Sequence, residues 1–186
     1  MGLLHLHSST SKTIQSTMKP SGLFINLAYK CIRTELCPKS ELRGRVAALL
    51  RLDAANYTVP KEFFERNSHF FCSEARKEYS SRPHDSLLKH SVDQFEGGFS
   101  AITSEEWKEE NLTQASEHLV EILHADWEKY DSKVAVKDCR NAVNRFLRWA
   151  LTGGRSGLTV MSIMALLGRD EAIRRIEDAA VSFLST

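Results

Sequence analysis

Eight residues, Val160-Met161-Ser162-Ile163-Met164-Ala165-Leu166-Leu167, are apolar almost all round a helical wheel, with Gly157 before them and Gly168 directly after. A helix of that kind is buried on most sides, so other helices must stack around it. The flanking sequence supplies them. At 133–151, Ala135, Val136, Cys139, Ala142, Val143, Phe146, Leu147, Ala150 and Leu151 fall on one broad stripe, the period of an amphipathic helix. After Gly168, Asp170 and Glu171 suit the start of a last helix with Ala172, Ile173, Ile176, Ala180 and Phe183 inward.

Upstream the same period recurs. Leu42, Val46, Leu49 and Leu50 predict a helix at 40–55 capped by Ser40, and Pro60 suits the first turn of a short helix at 61–66. Phe63, Phe64, Phe70 and Phe71 are expected to plug the core. Leu87, Leu88, Val92 and Phe95 predict a helix at 84–96 that Gly97-Gly98 stops. Thr103 and Glu106 have the spacing of a capping box ahead of a helix at 111–130, with Leu112, Ala115, Leu119, Ile122, Leu123 and Tyr130 on its inner stripe. Period-two alternation is absent. The reading is an all-α bundle of about seven helices, with the domain at 40–186. Residues 1–39 are a disordered or poorly defined segment, in which 22–36 can form a helix on Leu23, Leu27, Cys31 and Ile32.

Charge is segregated along this frame. The stretch 101–132 carries nine acids against Lys108 and Lys129, a formal −7, while 137–178 carries eight bases against five acids, a formal +3. The whole chain is only +1. Any contact with a polyanion therefore belongs to a local patch and not to the acidic face. Lys137, Asn141, Asn144, Arg145 and Arg148 lie opposite the apolar stripe of 133–151, and Trp149 sits at the border.

Several function classes are excluded or disfavoured. Cys31, Cys37, Cys72 and Cys139 lack paired spacing, which argues against a zinc site or a disulfide framework. His5 and His7 lie in a ragged terminus, where a tail outweighs a metal site. No run is long and apolar enough to span a bilayer. Leu6 stands where an N-myristoylation signal needs Ser or Thr. The first 34 residues contain no acid and many Ser and Thr, which loosely resembles an organellar transit peptide but lacks its arginines before Arg33; a frayed terminus is the alternative. No phosphate-binding loop, zinc-protease helix or nucleophile elbow occurs.

The remaining candidate is the end of the 133–151 helix and its stop. Arg145, Arg148 and Arg155 with Gly153, Gly154 and Gly157 combine forked cations with close backbone approach, and Trp149 adds an indole. Arginine pairs with phosphate or a base edge, and aromatic rings stack on unpaired bases. The alternative is that Arg148 caps carbonyls and Trp149 fills the bundle.

Phe146-Leu147-Arg148-Trp149-Ala150-Leu151-Thr152-Gly153, then Val160 to Leu167 followed by Gly168-Arg169-Asp170-Glu171, and finally Arg174-Arg175-Ile176, resemble the C-terminal signature of bacterial-type and organellar glutamyl-tRNA synthetases. The likeness is strong over 143–177 and extends across about 40–180. It implies an α-helical anticodon-binding domain of a class I aminoacyl-tRNA synthetase, with Arg148 in the place of the family's anticodon-contacting arginine. The family's Ser/Thr-Pro-Gly-Leu contact run is replaced by Gly157-Leu158-Thr159-Val160. The family's catalytic motifs are absent, so no catalytic residue is assigned. The chain is expected to hold no cofactor, ATP and Mg belonging to the missing catalytic domain. The resemblance implies a glutamate-accepting tRNA as partner, a separate catalytic domain as a second one, and a fragment or free-standing derivative of a synthetase; no membrane partner and a monomer are expected. Mitochondrion is the expected compartment, with cytoplasm the alternative.

A rival from another class is a helical protein-interaction module without an RNA role, using the acidic and basic faces for docking. DNA binding through 137–180 is disfavoured, because the apolar run at 160–167 would occupy the recognition position.

Overall fold

The computed structural model describes residues 39–53, 60–71, 83 and 88–185. The expected helix at 22–36, the transit-like N-terminus, and Cys31, Cys37 and Cys72 lie outside the described residues. Seven α-helices and two short 3-10 turns, with no strand, make up what is described. They are α1 (Lys39–Asp53), α2 (Pro60–Asn67), α3 (Gln94–Ser100), α4 (Glu109–Trp127), α5 (Val136–Thr152), α6 (Val160–Leu167) and α7 (Arg169–Leu184). The 3-10 turns are Ser68–Phe70 and Leu88–His90.

The apolar helix α6 behaves as its wheel requires. It packs against α1, α4, α5 and α7, and Val160, Met161, Ile163, Met164 and Leu167 are buried. Its N-cap is Thr159, whose hydroxyl accepts from the Ser162 N–H at 3.1 Å. Gly168, at φ 81°, ends it. Trp107 fastens the segment before α4 to this centre by donating its indole N–H to the Met164 carbonyl at 2.9 Å.

Around α6, α4 packs on α3 and α5, and α7 packs on α3 and α5. Phe63, Phe64, Phe70 and Phe71 are all buried. Fully burying a phenylalanine stabilises by about 1.5–3 kcal/mol. Arg140 on α5 donates to both carboxylate oxygens of Glu117 on α4, Nε to Oε1 at 3.0 Å and Nη2 to Oε2 at 2.6 Å. That hydrogen bond holds the Glu117 carboxyl below the usual carboxylate range. Part of the opposed charge seen in the sequence is therefore consumed between neighbouring helices.

Two expectations are corrected, the glycine stop and the bounds and inner stripe of α4. Gly97 and Gly98 do not stop a helix; both lie inside α3. A Cβ on Gly98 would meet Leu119 Cδ1 at 3.4 Å, so this glycine lets α3 approach α4. The Thr103–Glu106 box is made, with both backbone N–H groups 3.4 Å from the facing side-chain oxygen. It closes a single turn ahead of α4, as expected, and α4 runs from Glu109 to Trp127 in place of the expected 111–130. The buried stripe of α4 is Leu112, Ser116, Leu119, Val120, Leu123 and Trp127, while Ile122 and Tyr130 are exposed.

Candidate functional site

Helix α5 ends where its carbonyls run out of N–H partners. Gly153 supplies the stop by entering the left-handed region at φ 68° and ψ 24°. Its N–H donates to the Trp149 carbonyl at 2.9 Å, and the Gly154 N–H donates to that of Arg148 at 3.3 Å. Thr152 Oγ1 donates to the Arg148 carbonyl at 2.8 Å. The sharp corner that results sends the chain back over the end of α5.

Arg148 fills the inside of that bend. Its Nη1 donates to the Arg155 carbonyl at 3.1 Å and its Nη2 to the Leu158 carbonyl at 3.0 Å. One guanidinium thus holds both limbs of the loop. It is half-buried, and burial lowers its pKa from the ordinary arginine value. An arginine so placed keeps its charge. The partners are carbonyls and not carboxylates, so that charge is not neutralised by its ligands.

Arg155 turns away from the solvent side. Its Nη1 donates to the Glu65 carbonyl at 2.8 Å and to Ser68 Oγ at 3.1 Å, bracing the loop on the end of α2. Trp149 is half-buried, with its ring 6.2 Å from Phe146 and 6.3 Å from Phe183. It packs in the bundle. Gly157 is exposed at φ 153°, and Gly154 is exposed at φ 86°.

Behind the corner lies a second set of cations. Arg175 on α7 is fully buried and donates to the Leu151 carbonyl at 2.6 Å, the His69 carbonyl at 2.8 Å and Glu171 Oε1 at 2.5 Å. His69, buried against Phe70, has its pKa lowered to about 3. Desolvation is the main cause, and the charges of Arg175, Arg155 and Arg148 add to it. The imidazole is therefore neutral near pH 7 and adds no charge to the corner. On its other side, Asp53 is buried and accepts from Asn67 Nδ2 at 2.9 Å and Arg66 Nε at 3.2 Å.

The polar face of α5 opens on a hollow of about 530 Å³. Trp127 and Val134 give it an apolar floor. Asp138, Asn141, Asn144, Arg145 and Arg148 wall it along the helix. Their spacing places them on adjacent turns of one face. Asp138 Oδ2 accepts from the Ala135 N–H at 3.4 Å, the half of a capping box that an alanine cap permits. Among the described residues there is no cluster of three or more metal-ligating side chains, and no helix is long and apolar enough to cross a membrane.

Of the residues singled out in the sequence, Arg145 and Arg148 share the hollow, while Arg148, Arg155 and Gly157 meet at the loop. Trp149 and Gly153 serve the bundle and the stop. Asn141 and Asn144 were visible on the polar side of the wheel but not marked as a site. Arg66 and His69 carried no local signal, because each meets the corner through the fold, and Arg175 was marked only as part of the Arg174-Arg175-Ile176 run.

Residues 61–180 match a family model described as an anticodon binding domain. No curated protein and no solved structure matches the chain.

Proposed function

The chain belongs to the anticodon binding domain family, and from that premise we propose that it grips the anticodon arm of a tRNA through the polar face of α5 and the glycine corner. The observation that carries this reading is the hollow of about 530 Å³ walled by Asp138, Asn141, Asn144, Arg145 and Arg148. It joins two arginines to two neutral carboxamides over an apolar floor, with the Asp138 carboxylate turned to the Ala135 N–H at the far end of the helix face. Phosphate contacts position a nucleic acid, and the neutral groups read exposed base edges. Unpaired loop nucleotides are the RNA elements whose edges are open to such reading.

The finer reading is a glutamate-accepting tRNA, served as part of a glutamate–tRNA ligase. What supports it is the run Phe146 to Gly153 and the Val160 to Glu171 segment, which resemble that family's C-terminal signature. On this reading ATP and Mg act in a separate catalytic domain, this domain is monomeric, and the acid-free N-terminus directs it to the mitochondrion.

The test is tRNA binding by the full chain across a salt series. Phosphate binding releases counterions, so affinity falls steeply as salt rises. Arg145→Ala, at an exposed position, is expected to weaken binding to every tRNA and to reduce the log–log salt slope by about 1. Binding that ignores salt, or an unchanged slope in the variant, overturns the proposal. A preference for glutamate-accepting tRNA over other species tests the finer reading separately.

A further inference from the structure

The side chains at the corner are turned towards the protein itself. Both terminal nitrogens of Arg148 hold loop carbonyls. Arg155 is braced on Glu65 and Ser68, and Trp149 is packed against Phe146 and Phe183. The loop that Arg148 holds carries no Pro, and its run is Gly157-Leu158-Thr159-Val160. Base reading by these groups would require breaking contacts that shape the corner. Asn141 and Asn144 are in the opposite situation. Both are exposed and line the hollow, and neither carboxamide has a protein hydrogen-bond partner among the described residues. Three residues apart on one helix, they are side by side. Each offers two N–H donors and a carbonyl acceptor in one plane, which is the complement of a base edge. The hollow's volume, about 530 Å³, falls in the range of small-ligand pockets, roughly 300–1,000 Å³.

We propose that this hollow is the seat of one unpaired nucleobase of the bound RNA, with Asn141 and Asn144 as its specificity-determining residues and Arg145 on the adjoining phosphate. Arg148 is then a positioning residue, which sets the loop beside the seat. The inference rests on the anticodon-arm reading, but its test can fail alone.

The affinity of the full chain is measured by fluorescence anisotropy against a panel of synthetic anticodon stem–loops. The tightest binder is then remade with each loop nucleotide in turn replaced by an abasic one. Wild type is compared with N141A/N144A, or with N141S/N144S should the alanine pair fail to fold by circular dichroism. One abasic position is expected to weaken wild type about tenfold or more, and to have no further effect in the variant. Equal abasic penalties in both proteins at every loop position, with the stem–loop still bound, overturn the base seat and leave the anticodon-arm reading standing. Absence of binding to any stem–loop overturns both.

Discussion

Replacing Arg175 by methionine tests how the corner is held from behind. The side chain is fully buried, and methionine keeps much of its length while withdrawing every donor. The Leu151 and His69 carbonyls lose N–H groups at 2.6 and 2.8 Å. A buried acceptor left unsatisfied costs about 1–3 kcal/mol. Glu171 is not stranded, because Arg174 still donates to it at 2.9 and 3.0 Å. Methionine recovers some apolar contact, so the net loss is set at about 3 kcal/mol. Against a total stability of about 5–15 kcal/mol that is a large fraction. For a domain of this size it lowers Tm by roughly 6–12 °C. Urea unfolding followed by circular dichroism reads it as a lower midpoint at unchanged slope. Arg174→Met is the control: its side chain is 45% exposed, and surface ion pairs contribute about 0–1 kcal/mol. A loss under about 1 kcal/mol for Arg175→Met refutes the reasoning, since it means that the carbonyls find other donors or water.

The remaining predictions concern protons and glycines. His69 binds its proton only near pH 3 when folded, whereas a free histidine does so near 6.5. The unfolded chain therefore holds the extra proton between these values, so the stabilisation is full above the higher one. It is lost as pH falls towards the lower, at up to about 1.4 kcal/mol per pH unit. His69→Phe is expected to flatten that slope in urea titrations over this window; an unchanged slope means that another group causes it. Gly153→Ala forces a side chain into the left-handed region at φ 68° and is expected to cost roughly 1–2 kcal/mol. Gly44→Ala, in α1 with nothing within 4 Å of the added Cβ, is expected to stabilise by about 0.5–1 kcal/mol. Thermal unfolding of the two glycine variants should therefore shift Tm in opposite directions.

Helix α6 and the glycine corner were legible because their signals are local. A continuous apolar run between a cap and a glycine has one way to fold, and the observed bounds, Val160–Leu167, are those of the run. The Gly97-Gly98 pair misled for the converse reason. Its glycine content looks like a stop, but Gly98 answers to Leu119, a residue on another helix. The same holds for Tyr130, which fits the wheel of α4 yet lies past its end at Trp127 and is 69% exposed. At the site, the polar face of α5 could be drawn from the wheel alone. Arg175 could not be placed, because its carbonyl partners lie 24 and 106 residues away in the chain. In sequence it counts as one more cation in a basic stretch and as part of the Arg174-Arg175-Ile176 run. In the fold it is the most buried of them.

The anchoring of Arg155 on the end of α2 has a kinetic consequence. On the proposed reading, a loop tethered at both limbs and at its rear would meet an incoming hairpin as a template already in shape. Little ordering is left to occur on contact, so encounter is governed by long-range attraction and diffusion. Substituting an outlying cation such as Lys137 should then register in how quickly the complex forms, and loosening the tethers in how long it lasts.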